Sequence, residues 1–246
     1  MTGQTIAELY TDTPILNDDV IRGVASPLKP NAGFLNMSGN LFDSALMKTS
    51  AIDEGFRARY FSNAEEAFEG RVAVFDGPED FHASIDDPAL GLTDDSVLVM
   101  RGAGPKGYPG GAEVVNMRPP SYLIKKGVRA LPCIGDGRQS GTSGSASILN
   151  ASPEAADGGG LALLQDGDPI RIDLKQRRVD VLVDETELAA RRTTLDAAGG
   201  YAQPESQSPW QEIFREKVRP FSEGMVFEGA TEYRDITNRG LPRNNH

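Results

Sequence analysis

Hydrophobic and polar positions follow two different patterns along this chain, and the change of pattern divides it. In the middle third, Ser96–Arg101 (SVLVMR) is an unbroken apolar run of strand length, the pattern of a strand covered on both faces. Arg71–Asp76 (RVAVFD) alternates as a strand, and GPEDFHASI after it, with acids in its first turn, reads as a helix start. Further strands are expected at Ala45–Ala51 and Arg129–Ile134, and short helices around Asn63–Phe68 and Pro120–Lys126. Strand and helix in alternation imply α/β packing around a largely parallel sheet.

The last third changes period. From Leu161 to Asp184 the sequence reads as consecutive strands, with turns at DGD and LKQRR. Ile170, Ile172 and Leu174 alternate with polar residues, as do Val179, Val181 and Val183, which is the mark of an antiparallel meander with one wet face. Glu185–Arg192 then starts a helix with acids first, and Trp210–Val218 is amphipathic. Residues 1–40 are punctuated by Pro14, Pro27, Pro30 and the NMSGN turn, and read as irregular. Mixed strands curling into a barrel, flanked by helices, fit this order of elements best.

Composition narrows the function classes. At 246 residues, with 39% hydrophobic and 25% charged, the chain is long enough for one substantial core. Its net charge of −11 and the lack of a dense Lys/Arg cluster argue against a nucleic-acid partner. No apolar run reaches the roughly 18 residues of a membrane span, and no basic-then-apolar leader stands at the N-terminus, so a cytoplasmic protein is expected. The single cysteine, Cys133, lies in an expected buried strand and cannot build a disulfide framework or a thiolate metal site. With only His82 and His246 available, a serine–histidine hydrolase is disfavoured.

The candidate chemistry sits in two glycine-rich loops, each directly after an expected strand: Arg101–Met117 and Gly135–Gly160. Glycines allow backbone N–H groups to approach an anion closely, so both loops read as anion-binding turns. Neither carries a nucleotide-binding fingerprint. Arg138 could hold a substrate carboxylate or form a structural ion pair, with Asp136 as its nearest acid in sequence. Glu113, the one acid of the first loop, could be a metal ligand, a base or a solvated glutamate.

GAGPKGYPGGAEV, GDGRQSGTSGSASILNASPEA and LLQDGDPIRIDL, in that order, resemble the C-terminal part of the IlvD/Edd dehydratases. GNLFDSALMKTSA, from Gly39, resembles a further segment of the same family, and GRQSGTS with ILNASPEA resembles its pentonate branch (arabinonate- and xylonate-type). The resemblance implies a hydro-lyase that converts a 2,3-dihydroxy sugar acid to a 2-keto acid, using an iron–sulfur cluster and Mg²⁺. Carried over by motif position, it implies Ser140 as the base that takes the C2 proton, with Thr142 assisting. Arg138 and Gly141 are then expected to bind substrate, and Glu113 to be a Mg²⁺ ligand.

The cluster cysteines and the other Mg²⁺ ligands of the family lie in an N-terminal domain with no counterpart here. The expected organisation is therefore an irregular segment over 1–40 and a C-terminal domain over 41–246. Its fold class is α/β: a mixed β-barrel-like domain of the swivelling β/β/α kind with peripheral helices. The expected partners are a small sugar acid, the missing domain and, in the full-length enzyme, further copies of the chain. The alternatives are an inert truncated homologue or anion-binding module, and a dihydroxy-acid dehydratase of branched-chain amino-acid synthesis.

Overall fold

The computed structural model describes residues 4–29, 32–111, 113, 117–138 and 145–233. A five-residue helix, α1 (Ile6–Tyr10), opens the chain on a capping box made by Thr5 and Glu8. The barrel begins with β1 (Phe34–Met37) and β2 (Ser44–Lys48), which pair antiparallel. Helix α2 (Glu54–Tyr60) leads to β3 (Ala67–Asp76), α3 (Gly77–Ser84) and β4 (Ser96–Arg101). Helix α4 (Ser121–Lys125), β5 (Cys133–Gly135) and β6 (Ser147–Ser152) follow. The β7 (Pro169–Asp173) and β8 (Arg178–Val181) hairpin precedes α5 (Glu185–Ala197) and α6 (Pro209–Lys217).

The eight strands form one sheet in the order β1-β2-β6-β5-β4-β3-β7-β8. Its four middle strands, β6, β5, β4 and β3, are parallel, and the flanking pairs are antiparallel. The two ends of the sheet nearly meet. Ser38 N donates to Arg177 O (3.0 Å) and Val179 N donates to Ser38 O (2.8 Å), forming a bridge between the end of β1 and the start of β8. Gly39 is required there, because a Cβ would collide with the Val179 carbonyl. Asn40 completes the closure: its Nδ2 donates to Val181 O and its Oδ1 accepts from Val181 N. The result is the barrel-like α/β domain with peripheral helices that the hydrophobic pattern predicts.

Alternation along the parallel strands builds two cores. Val97, Val99, Ile134 and Ile148 point into the barrel, where they meet Met37, Met47, Ile170, Ile172, Val179 and Val181. Their neighbours Leu98, Met100, Cys133 and Leu149 pack outside, against Phe81 of α3, Ile85 just after it and Leu123 of α4. Both faces of β4 are therefore dry, as its apolar run requires. No described helix is long and apolar enough to cross a membrane.

Five local expectations need correction. The segment 63–68 is not a helix: Asn63 Oδ1 accepts from the N–H groups of Glu65 and Ala67, and this side-chain turn replaces the helical bonds. The helix lies earlier, at α2, where Asp53 caps Phe56 N. The strand read over 129–134 shrinks to β5, because Pro132 has no N–H to give to a ladder. Gly160–Leu163 is a tight helical turn, not a strand. The Arg101 guanidinium takes the carbonyls of Leu161, Ala162 and Leu164, which a neighbouring strand would otherwise satisfy. Finally, the second glycine-rich segment holds a whole central strand, β6, and the segment read as irregular up to residue 40 supplies β1.

Candidate functional site

Three loops leave the C-terminal ends of β4, β5 and β6. Because these strands are parallel neighbours, the loops open at one end of the barrel. The loop after β4 carries Glu113, and the loop after β5 carries Arg138. They meet: Arg138 Nη1 lies 2.8 Å from Glu113 Oε1, and Arg138 Nε donates to Gly111 O at 2.8 Å. Both side chains are about half exposed, so the pair is accessible from solvent. The ion-pair partner of Arg138 is therefore Glu113 and not Asp136. Ser140, Gly141 and Thr142 lie outside the described residues.

Asp136 has a different task. It is fully buried, and its carboxylate accepts from Gly102 N (3.0 Å), Ala103 N (2.9 Å) and Ala155 N (2.9 Å). Nearby Glu154, just after β6, is almost as deeply buried. Its two oxygens accept from Lys106 N (2.8 Å) and Gly107 N (3.0 Å). Gly104 makes this approach possible, since a Cβ there would collide with Glu154 Oε2. Burial raises both carboxyls above the ordinary carboxylate range, against the pull of the N–H donors. Glu154 is pushed up to about 7, with the charges of Asp136 and Asp157 adding to the effect of burial.

Sequence reasoning assigned no role to Glu154 and treated Asp136 only as a possible partner of Arg138. The available signal was an acid at each strand-to-loop junction, in GDG after β5 and SPEA after β6. The C-terminal segment also reaches this end of the barrel. Arg215 Nε of α6 donates to Lys106 O (2.9 Å), Ser152 and Ser222 share a hydroxyl hydrogen bond (3.0 Å), and Met225 occupies the space a side chain on Gly111 would need. Tyr201 Oη donates to Asp76 Oδ1 (2.8 Å) beside Gly102, while Arg101 pairs with the same carboxylate.

The donor set bears on metal and cluster chemistry. No group of three or more His, Cys, Asp or Glu is placed to hold a metal among the described residues. Glu113 offers the hard carboxylate oxygen that Mg²⁺ takes, but one ligand is only part of a site. Cys133 does not fit a cluster: it is buried in β5 and burial pushes its thiol up to about 12, while ligation needs a thiolate. A cleft of about 820 Å³ lined by Phe56, Tyr60, Leu123 and Arg129 opens where the chain enters β4 and β5, away from the loops described above.

Fold and site together define an α/β barrel domain with glycine-rich loops, a carboxylate and a guanidinium gathered at one end. Residues 19–225 match the family model for the dihydroxy-acid/6-phosphogluconate dehydratase C-terminal domain, and the chain belongs to that family. It is 51% identical over 248 residues to D-xylonate dehydratase from Caulobacter vibrioides, an alignment that covers 100% of this chain and 41% of that protein. It is 36% identical over 192 residues to L-arabinonate dehydratase from Rhizobium leguminosarum, covering 78% of this chain and 32% of the relative. Dihydroxy-acid dehydratase from Pyrococcus furiosus is 40% identical over 191 residues, covering 77% and 32%. The chain thus spans well under half the length of the curated relatives it matches.

Proposed function

We propose that this chain is the C-terminal, substrate-side part of a hydro-lyase that removes water from a 2,3-dihydroxy sugar acid to give a 2-keto acid. The observation that carries this reading is the meeting of the two glycine-rich loops, with Arg138 on Glu113 at 2.8 Å. The relatives support the substrate class. Identity is 51% over the full chain to a D-xylonate dehydratase, against 40% over 77% of it to a dihydroxy-acid dehydratase. A pentonate-type acid is therefore favoured over a precursor of branched-chain amino acids.

In this reading Ser140 takes the C2 proton, Thr142 orients its hydroxyl, and Arg138 and Gly141 bind the substrate anion. The guanidinium of Arg138, which holds Glu113 in this structure, exchanges that partner for the substrate carboxylate, which its planar fork suits in a bidentate pair. The C2 proton passes to Ser140 Oγ in its anionic form, the C3 hydroxyl leaves as hydroxide and takes that proton to become water, and the enol left behind gains a proton at C3 from solvent as it loses the one on its C2 oxygen, giving the 2-keto acid. Glu113 would offer one carboxylate oxygen to Mg²⁺, which when bound would supply positive charge to stabilise the substrate anion. The ligands of the iron–sulfur cluster, like the remaining Mg²⁺ ligands, belong to the part of the enzyme outside this chain. The complete enzyme is read as a cytoplasmic homo-oligomer.

Ser140→Ala in the complete enzyme tests the assignment. Exchange of the C2 hydrogen with deuterated solvent should fall by roughly 10²–10⁴-fold while substrate affinity holds, because a base acts only as the proton leaves. Exchange at near the normal rate would place the base elsewhere.

A further inference from the structure

The geometry points to Asp136 and Glu154 as positioning residues: a buried two-carboxylate clamp that fixes the loop carrying Glu113 against the loop carrying Arg138. The proposal rests on the reading above for its catalytic consequence, but its structural content is independent of that reading. Two carboxylates that are almost wholly buried accept five backbone N–H groups, and four of these, from Gly102, Ala103, Lys106 and Gly107, belong to one glycine-rich loop. The fifth, from Ala155, ties the loop after β5 to the loop after β6. No strand pairing holds the loop from Gly102 to Gly111; these bonds anchor it to the barrel, beside its own turns at Gly104–Tyr108 and Tyr108–Gly111 and the Arg215 bond to Lys106 O. A buried acid that faces backbone N–H groups, and no side-chain cation, is an acceptor with a fixed shape. The loop then delivers Gly111 O and Glu113 to Arg138.

The charged groups around the clamp are few. Asp157 stands near Glu154, but its carboxylate is taken by Lys106 Nζ. Arg215 reaches the same stretch only through the Lys106 carbonyl. Neither cation neutralises the clamp, so the backbone N–H groups remain its main partners.

Glu154→Gln keeps the size and one acceptor but turns an NH₂ group toward one of the two amides. Glu154→Asp keeps the charge on a shorter arm, and serves if the glutamine variant fails to fold. In the chain itself, amide hydrogen exchange at Lys106 and Gly107 should accelerate at least about tenfold in the variant, with Leu98 and Val99 of β4 unchanged. Unchanged exchange at Lys106 and Gly107 would overturn the clamp. So would acceleration spread evenly over β3–β6, which would make Glu154 a general core residue. In the complete enzyme, the Mg²⁺ concentration giving half-maximal rate should rise about 10–100-fold, and excess Mg²⁺ should restore turnover, as for loss of a group that orients a ligand. Glu113→Gln separates the two failures. If it shifts the Mg²⁺ dependence and Glu154→Gln does not, the clamp falls and the functional reading stands. If neither shifts it while exchange behaves as stated, the clamp stands and the role of Glu113 falls.

Discussion

At the loop end of the parallel strands, Asp136 and Glu154 are buried and take backbone N–H groups. Across the barrel, on the antiparallel side, Glu65, Glu69 and Asp173 gather instead around the guanidinium of Arg171. The residue types are the same and the partners differ. Around Arg171, Glu65 and Glu69 are well exposed, and long side chains must be held in place against water that would solvate them as well. At the loop end the donors belong to the main chain, so satisfying the charge also fixes the path of the loop. Asp168 with Arg191 is the intermediate case, a nearly buried pair answered by a cation that also takes Leu163 O. What answers a carboxylate, rather than the carboxylate itself, decides whether it shapes a site or decorates a surface.

The sharpest way to break this contrast is Asp136→Ala. The substitution leaves three buried N–H groups without an acceptor, each costing about 1–3 kcal/mol, while relieving the burial of one charge. A net loss of about 3–4 kcal/mol is expected, read as a lower urea midpoint at unchanged slope. A loss below about 1 kcal/mol would show that water replaces the carboxylate at little cost, and the clamp would lose its energetic basis.

The next effect is a pH dependence, and its sign follows from where the proton sits. Burial raises Glu154 from the ordinary 4.5 to about 7. Between those values the folded chain holds a proton that the unfolded chain has released. The contribution of Glu154 to stability is therefore fully present below about pH 4.5 and lost as pH rises through 7. At about 1.4 kcal/mol per pKa unit the span is roughly 3–4 kcal/mol. Asp136, also raised, adds a slope of the same sign. Glu154→Gln should flatten the fall in thermal midpoint between pH 5 and 8. An unflattened curve would assign the slope to other groups.

These two residues also show where sequence reading reaches its limit. The barrel was legible because its strands carry their burial in their pattern: SVLVMR packs on both faces, and Ile170 and Ile172 turn inward opposite Val179 and Val181. β6 was not, because Ser147, Asn150 and Ser152 interrupt Ile148 and Leu149 and blend into glycine- and serine-rich neighbours. The site was half legible. Glycines after strands marked the two loops, and Arg138 with Glu113 do come together. Asp136 and Glu154 escaped because an acid that answers main-chain amides has no partner residue in the sequence to betray it. Their partners are N–H groups, which every residue but proline carries. The turn at Asn63 was misread for the same reason, since its side chain also binds main chain.

The smallest effect tests the other half of the contrast. Arg171→Gln removes the cation from Glu65, Glu69 and Asp173, and so leaves three acids of like charge close together. Two of the three stay well exposed and are rehydrated, and the third, Asp173, keeps the N–H of Gln176 on its Oδ1 at 2.7 Å. The β7–β8 ladder and its inward Ile170, Ile172, Val179 and Val181 are untouched by the change. Asp173 is buried but loses only the 3.3 Å contact of its Oδ2, so the urea midpoint should fall slightly at 0.15 M salt, well short of the loss for Asp136→Ala. That small loss should shrink further at 1 M salt, where exposed charges are screened over about 3 Å. A loss as large as that of Asp136→Ala, unchanged by salt, would mean that the Arg171 cluster is built into the barrel as firmly as the loop clamp, and the distinction between main-chain and side-chain partners would fail.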